Sequence, residues 1–359
     1  MIGTVYTPGG RVRVLANLSK ILSDIGVEMH IICRQTKPGG SLPYQFDKRV
    51  IIHHLGLGQP EKMNLWQKIK FNIKTSLMIR DLVKQYKFDI VCGLNALPNS
   101  LLPFFVPNSK KVAYEHDCYE QASKVVRLLR KIFYPFLDAV VLLTDNNASY
   151  YNFIPKRKRF VIPNSLPFVC DTPSNCQNKR IITLGRLVQL KGYNYLLQAA
   201  VKLKQEIPDW HIDIYGSGND EVMLKDLAKK LQVDDFVTFN PPTKEVSKEL
   251  CNSGMFVLSS RSESFGMVLI EAQECGLPIV SFDCPEGPSE VVHDGEDGFL
   301  VPLADTDALA EKIITLAKDQ EMRKRFGQAA KINCQQFSPE KVGEMWMDLI
   351  AQLTKKKKK

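Results

Sequence analysis

The chain has 359 residues, of which 44% are apolar and 24% charged, so it has the composition of an ordinary globular protein rather than of a disordered, collagen-like or disulfide-stapled chain. Its formal net charge of +9 is uneven: residues 1–165 carry +13, residues 166–354 carry −9, and the lysines at 355–359 carry +5. This length and this charge contrast predict two domains with different partners.

In the first half, short apolar runs accompany an amphipathic helix. Ile2–Tyr6 is a predicted strand, and Arg11–Ile25 is a predicted helix with apolar residues along one face. Further strands are predicted at Glu28–Cys33, Phe88–Gly93, Lys111–Glu115 and Ala139–Thr144. The stretch Asn164–Asn178 is rich in Pro, Asn and Ser and is typical of a linker.

A second series of elements follows that linker. Strands are predicted at Ile181–Gly185, His211–Tyr215, Phe236–Phe239, Met255–Ser259 and Pro278–Phe282. Helices are predicted at Tyr193–Glu206, Glu221–Leu231, Phe265–Cys275, Thr306–Lys318 and Pro339–Leu353. The alternation predicts two Rossmann-like α/β domains that face a central cleft. We place the domains at 1–165 and 166–338, with helix 339–353 packing back on the first and a disordered tail at 354–359.

The cysteines and the apolar runs indicate the compartment. Nine cysteines are scattered without a C-x-x-C pair, which favours reduced thiols over a disulfide framework or a zinc site. No segment approaches the roughly 18 apolar residues of a membrane-spanning helix, and the N-terminus lacks the regions of a signal peptide. These features predict a protein of the cytoplasm or of the cytosolic face of a membrane.

The most informative stretch runs from Ser259 to Glu271. A strand ends, a loop carries Glu263, and Gly266 allows close backbone approach before a helix that bears Glu271. The N–H groups at that helix start suit a diphosphate, and two carboxylates beside it suit the hydroxyls of a sugar and a ribose. The alternative is a glutamate that satisfies the helix dipole next to a surface glutamate.

Three further features follow strands. Arg186 and Lys191 lie between a strand and a helix, where two cations can neutralise a diphosphate or can simply be solvated. Gly9 and Gly10 follow the first strand, where a glycine pair admits phosphate but is also common in turns. His116 ends a strand and either faces the cleft to bond a substrate or is satisfied in the core.

One acidic string could suggest a metal. Asp305-Thr306-Asp307 has a D-x-D pattern, in which two carboxylates can hold a divalent cation. Because Ala308, Leu309 and Ala310 follow it, an N-cap with a first-turn acid is the better interpretation. We therefore predict no metal site.

Together these motifs resemble the retaining glycosyltransferases of family 4, which have the GT-B fold. The likeness covers nearly the whole chain and is strongest over residues 181–301. The matched motifs are the E-x7-E of Glu263 and Glu271, the cations Arg186 and Lys191, the glycines Gly9 and Gly10, and the E-H of Glu115 and His116. The stretch 283–290 is similar to that of bacterial members that build O-antigen, capsule and lipid-linked oligosaccharides.

The resemblance implies a role for each matched residue. Glu263 would contact the donor sugar, Glu271 the ribose, and Arg186 with Lys191 the diphosphate, stabilising the leaving nucleotide. Gly9 and Gly10 would abut the phosphates, and His116 would lie near the donor sugar and the acceptor. The donor-binding set also includes the residues between the two glutamates, Ser264, Phe265, Gly266, Met267 and Val268. Family members generally need no metal, so no cofactor is expected.

The implied reaction moves a hexose or N-acetylhexosamine from a nucleotide sugar, expected to be UDP-linked, to a lipid-linked or surface-polysaccharide acceptor, with an α-glycosidic product. Residues 1–165 would bind the acceptor and residues 166–338 the donor. The alternatives are a non-hydrolysing nucleotide-sugar epimerase of the same fold and an inactive sugar-nucleotide-binding protein. The chain departs from the family in its short first strand, in Val12 where an acidic residue is common, and in Phe239–Pro242.

The basic first half has its own candidate partner. Within Ser123–Phe136, apolar residues alternate with Lys124, Arg127, Arg130 and Lys131, which predicts a basic amphipathic helix at a membrane surface or a core-packed helix with a cationic edge. Lys156–Arg159 and the lysine tail add charge that suits anionic lipid. We therefore expect peripheral attachment to the cytoplasmic face of the inner membrane. Nucleic acid is disfavoured because no nucleic-acid motif occurs.

Overall fold

A computed structural model describes residues 1–6, 9–34, 42–57, 64–106 and 108–355. The chain folds as two compact units. The first unit consists of Met1–Pro167 together with Pro339–Lys359, and the second unit of Phe168–Ser338. The division between them falls inside the stretch that we interpret as a linker.

The described part of the first unit contains one parallel sheet. Its strands are β1 (Ile2–Gly3), β2 (His30–Cys33), β3 (Ile51–His54), β4 (Ile90–Gly93), β5 (Lys110–Tyr114), β6 (Ala139–Leu142) and β7 (Arg159–Val161). They lie in the order β3-β2-β1-β4-β5-β6-β7. All residues of β2 and β6 are buried, as the covered faces of a parallel sheet require.

Helices surround this sheet. They are α1 (Gly10–Asp24), α2 (Leu65–Tyr86), α3 (Ala96–Phe105), α4 (Lys124–Phe133), α5 (Asp145–Ser149) and, from the end of the chain, α13 (Pro339–Thr354). Helix α13 belongs to this unit because Trp346 lies edge-on to Tyr114 of β5, with ring centroids 5.1 Å apart. Helix α13 extends through Thr354, so the disordered tail predicted at 354–359 is wrong at that residue. Residues 356–359 of the predicted tail lie outside the described residues.

The second unit repeats the architecture. Its strands are β8 (Arg180–Leu184), β9 (His211–Tyr215), β10 (Val237–Asn240), β11 (Met255–Leu258), β12 (Ile279–Phe282) and β13 (Gly298–Val301). The described strands form a parallel sheet in the order β10-β9-β8-β11-β12-β13. Its helices are α6 (Tyr193–Glu206), α7 (Glu221–Lys230), α8 (Val246–Cys251), α9 (Met267–Glu274), α10 (Pro288–Val291), α11 (Thr306–Lys318) and α12 (Gln320–Asn333).

Several predicted elements change in extent. The strand predicted over Ile2–Tyr6 is wrong beyond Gly3, because β1 pairs with its neighbours only at Ile2 and Gly3. A cavity of about 480 Å³ opens beside Met1, between the sheet and α13. The 22-residue helix α2 is absent from the prediction, since its apolar residues are interrupted by polar ones around the helix. The N-cap prediction for Asp305 is confirmed by its bond from the Ala308 N–H at 2.9 Å.

Among the described residues, none of the helices combines the length and the apolar character that crossing a bilayer requires.

Candidate functional site

The candidate site of the second unit lies at the carboxyl edge of its sheet. Strand β9 lies on one side of β8 and strand β11 on the other, so the strand order changes direction between β8 and β11. Ligands of open parallel sheets bind at such a switch point. The loop that follows β8 carries Arg186 and Lys191, and the loop that follows β11 carries Glu263, so the sheet brings these two predicted loops together.

Lys191 and Glu263 form an ion pair across the switch point. The ammonium nitrogen of Lys191 lies 2.5 Å from Oε1 of Glu263, and the side chains are only 19% and 12% exposed. Ser260 donates its hydroxyl to the same carboxylate oxygen at 2.7 Å. One carboxylate oxygen therefore receives both a cation and a hydroxyl in a largely buried position, where charge interactions are stronger than in water.

Gly192 makes this ion pair possible. Its φ is +63°, in the left-handed region, and a Cβ placed on it would meet the carbonyl oxygen of Ser259 at 2.0 Å. The hydroxyl of Ser259 also donates to the carbonyl of Lys191 at 3.2 Å. The backbone of one loop thus lies directly against the end of β11, which only glycine allows, and this contact carries Lys191 onto Glu263.

The start of α9 provides backbone donors beside the pair. Gly266 is left-handed at φ +90°, so the helix begins at Met267, and the prediction that it begins at Phe265 is wrong. No acidic side chain occupies the first turn. The N–H groups of a first turn have no intrahelical partner, and the helix dipole favours an anion there. Ser264, Phe265, Gly266, Met267 and Val268 lie at this helix start, with Phe265 buried in the core.

The other two predicted residues of this unit have opposite environments. Glu271, the fifth residue of α9, is 1% exposed. Arg186 is exposed and forms no ion pair with any described residue. The structure therefore groups Lys191 and Glu263 closely, and it leaves the Arg186 guanidinium able to swing toward an anion.

Sequence reasoning missed Glu286 as a candidate. Its backbone bridges that of Glu263, it is 3% exposed, and it adopts φ +80° although it is not glycine. Such a conformation costs about 1–3 kcal/mol and is concentrated at functional sites. Glu286 lies within the stretch 283–290, which resembles bacterial family members but whose residues were assigned no role. That resemblance is the sequence feature that could have identified Glu286.

The first unit has a second candidate site at the equivalent place in its own sheet. Strand β2 lies on one side of β1 and strand β4 on the other, so the switch point lies between β1 and β4. Gly9 and Gly10 begin α1 there, and a Cβ on either would meet no atom within 4 Å. The preceding Thr7 and Pro8 lie outside the described residues.

Arg11 connects the start of α1 to two loops at this edge and was missed as a site residue. Its guanidinium donates to Oδ1 of Asn95, after β4, at 2.7 Å and to Oδ2 of Asp117, after β5, at 3.4 Å. Both side chains of the Arg11–Asp117 pair are about half exposed. The family pattern drew attention to Val12 at this point, but Val12 is buried in the core.

His116 lies buried beside this group. It is 8% exposed, its ring packs on Tyr114 with centroids 4.0 Å apart, and its Nε2 has no hydrogen-bond partner among the described residues. Burial, with a smaller contribution from the Arg11 charge, lowers the pKa of His116 to about 3. The imidazole is therefore neutral at physiological pH and acts as a hydrogen-bonding group rather than as a cation.

Glu115, the other half of the E-H motif, is part of the core. Its carboxylate is 3% exposed and forms an ion pair with Arg130 of α4. It also accepts bonds from Asn99 at 3.1 Å, from Tyr151 at 3.2 Å and from Tyr134. Glu115 therefore fixes α4 to β5 instead of contacting a ligand.

Comparisons with known proteins indicate the class of protein. Residues 171–333 match the family model "Glycosyl transferases group 1". An uncharacterized glycosyltransferase of Haemophilus influenzae is 28% identical over 97% of this chain and 98% of its own length. The amylovoran biosynthesis glycosyltransferase AmsD of Erwinia amylovora is 26% identical over 98% of both chains.

The fold is shared with a solved glycosyltransferase structure. A TarM variant from S. aureus, solved with fondaparinux, alpha-GlcNAc-glycerol and UDP, superposes with a TM-score of 0.79 at 15% identity over 97% of this chain and 99% of that one. The fold is therefore GT-B. Together with the family match and the full-length relatives, it identifies the chain as a glycosyltransferase.

Proposed function

We propose that the protein transfers a hexose or N-acetylhexosamine from a UDP-sugar to a lipid-linked or surface-polysaccharide acceptor, with retention, forming an α-glycosidic bond. The observation that carries the proposal is the Lys191–Glu263 pair beside the acid-free start of α9. The TarM variant of the same fold was solved with UDP and alpha-GlcNAc-glycerol, and AmsD is named as a glycosyltransferase of amylovoran biosynthesis.

In the proposed donor site, the second unit supplies both charge and hydrogen bonds. The N–H groups of the α9 first turn, Lys191 and Arg186 bind the diphosphate, and they stabilise the charge that grows on the leaving nucleotide. Glu263 accepts bonds from the donor sugar, and Glu271 accepts them from the ribose. These cations supply the positive charge, so we propose that transfer needs no metal.

In the first unit, the proposed acceptor site is built around the neutral His116. Its Nε2 can bond a substrate hydroxyl without placing a positive charge next to the sugar. Arg11 offers its guanidinium to an acceptor phosphate, because its bonds to Asn95 and Asp117 are exposed and exchangeable. Gly9 and Gly10, which the resemblance assigns to the phosphates of the donor, leave open space in which a phosphate can approach the backbone.

We further propose that α4 attaches the protein to a membrane carrying the acceptor. Val125, Leu128, Ile132 and Phe136 follow helical spacing and are 66%, 56%, 47% and 65% exposed. The exposed Lys124 and Lys131 flank them. Phe104 of α3, 62% exposed, lies edge-on to Phe133 of α4 and enlarges this apolar face. Arg130 contributes nothing to the face, contrary to the sequence interpretation, since it is buried against Glu115.

Incubation of the protein with radiolabelled UDP-sugars and membrane extract, with and without EDTA, tests the function. We expect label in lipid or polysaccharide, unchanged by EDTA, and an anomeric configuration that matches the donor. Isomerised sugar without an acceptor would support the epimerase instead, and binding without turnover would support an inactive sugar-nucleotide-binding protein. If transfer needs a divalent metal, the metal-independent part of the proposal is wrong.

A further inference from the structure

A cluster of three thiols lies in the second unit, away from the residues discussed above. The Sγ atoms of Cys170, Cys251 and Cys275 all lie within 4.8 Å of one another, and those of Cys170 and Cys251 are 3.1 Å apart. A search of the described residues for groups of His, Cys, Asp and Glu side chains close enough together to hold a metal ion finds these three cysteines. Cys251 follows Cys170 by 81 residues, and Cys275 follows Cys251 by 24 residues. This spacing matches no sequence motif for a metal site.

Three separate segments bring the thiols together. Cys170 lies in the segment that leads into the second unit, Cys251 is the last residue of α8, and Cys275 follows the last residue of α9. Glu274 and Lys331 hold the first of these segments. Glu274 accepts the Cys170 N–H at 2.8 Å, and Lys331 donates to the Cys170 carbonyl at 2.9 Å.

The distances suit a soft cation. Zn²⁺ binds thiolates at about 2.3 Å in tetrahedral geometry, which places the sulfur atoms about 3.8 Å apart. Small shifts of the three side chains reach that spacing from the observed one. The hydroxyl of Ser247 lies 3.8 Å from the Cys275 sulfur. A water molecule can complete the coordination of an ion that three thiolates hold.

Binding of a cation would change the protonation of the cluster. Burial raises the pKa of the Cys251 thiol and, more strongly, that of Cys275. Binding of one Zn²⁺ to three thiolates releases three protons and leaves one net negative charge, with no electron transferred. The Lys331 ammonium, bonded to the Cys170 carbonyl, places a positive charge at the edge of the cluster.

We propose that Cys170, Cys251 and Cys275 form a structural site for a soft divalent cation, with zinc as the natural occupant. The ion would fasten the segment around Cys170 to the ends of α8 and α9. Helix α9 rises about 1.5 Å per residue, so its eight residues separate this site from the anion-binding helix start by about 12 Å. The site is thus structural and does not take part in transfer, and its test does not depend on the proposed reaction.

The test is a titration of the full-length, reduced, metal-free protein with Zn²⁺ against a chromogenic chelator, and with Cd²⁺ alone. We expect one ion per chain, release of protons on binding, and a thiolate-to-cadmium charge-transfer absorption. The melting temperature should rise with metal concentration, since an ion that binds the native state stabilises it by mass action.

Two cysteine variants separate the site from other thiols. Cys251→Ser should weaken binding at least 100-fold, and Cys176→Ser should leave it unchanged, because Cys176 is a buried thiol of the same unit that bonds the Gly276 carbonyl instead. The wild-type titration decides the matter even if a variant fails to fold. Absence of the cadmium absorption in the reduced protein would overturn the proposal. A disulfide within the cluster, seen as a protein mass 2 Da below that of the reduced form, would also overturn the proposal if reduction of that disulfide restored no metal binding.

Discussion

The ammonium of Lys191 and the carboxylate of Glu263 neutralise each other at a distance of 2.5 Å. Each is more than four-fifths buried, so neither charge is left to solvent. In the proposed donor site, a diphosphate that takes Lys191 as its counter-charge would release Glu263, whose oxygens would then accept bonds from hydroxyls. The proposal therefore couples the recognition of the diphosphate to that of the sugar.

This coupling predicts the behaviour of a double-mutant cycle. Lys191→Ala and Glu263→Gln should each lower kcat/KM for transfer on the order of 10²–10³-fold, as loss of one charge-stabilising group does. The double variant should be much less impaired than the product of the two effects, because the residues act as a unit. Lys179→Ala, which removes an exposed ion pair with Asp209 in the same unit, is the control. Wild-type activity in both single variants would disprove the site assignment.

The close contact at Gly192 makes a prediction about stability. Gly192→Ala places a methyl group 2.0 Å from the Ser259 carbonyl at φ +63°, so we expect a loss of about 3 kcal/mol or more in the free energy of unfolding of the second unit. Gly295→Ala is the matched control, since Gly295 has φ +78° but nothing within 4 Å. Its cost should be about 1–2 kcal/mol from backbone strain alone. Equal losses in urea unfolding would show that the contact with Ser259 is unimportant.

Sequence patterns predict the second unit better than the first. The bounds of α6, α11 and β9 agree with the prediction, because their apolar periodicity and flanking turn residues are clear. The two-residue β1 depends on tertiary packing that no local pattern expresses. Helix α2 begins with a capping box of Asn64 and Gln67, a local signal that the prediction did not use. The Lys191–Glu263 pair, 72 residues apart, and the thiol cluster arise only when neighbouring strands bring their loops together, so the sequence predicts the residues but not their pairing.

The buried pair of Glu115 and Arg130 predicts a purely structural variant. Arg130→Met leaves the Glu115 carboxylate buried without its cation, and this should cost about 3–5 kcal/mol in the first unit. Lys202→Met, which breaks the exposed pair with Glu311, should change stability far less. Both effects are measured by unfolding in urea, monitored through hydrogen exchange in peptides of each unit. A free energy of unfolding for Arg130→Met equal to that of wild type would contradict the anchoring role of Glu115.

The exposed face of α4 predicts binding to anionic vesicles. Leu128→Glu puts a charge in the centre of the apolar face and should lower partitioning onto phosphatidylglycerol vesicles at least tenfold, because the helix can no longer bury that face in the interface. Val222→Glu, at another exposed apolar residue in the second unit, is the control. Co-sedimentation at low and high salt measures both variants. Equal partitioning of Leu128→Glu and wild type would exclude α4 as the attachment surface.

The lowered pKa of His116 predicts a pH-dependent stability of the first unit. In the unfolded chain the imidazole takes up a proton below pH 6.5, whereas in the folded protein it does so only near pH 3. Between these values the unfolded state binds more protons, so the free energy of unfolding falls as the pH falls, by up to about 1.4 kcal/mol per pH unit from this one group. His116→Gln has no such titration, and its stability curve between pH 6.5 and 4 should therefore be flatter than that of wild type. Urea unfolding of the whole protein at a series of pH values, followed by hydrogen exchange in peptides of the first unit, measures the two stability curves. Parallel curves would mean that His116 is not held neutral by its surroundings.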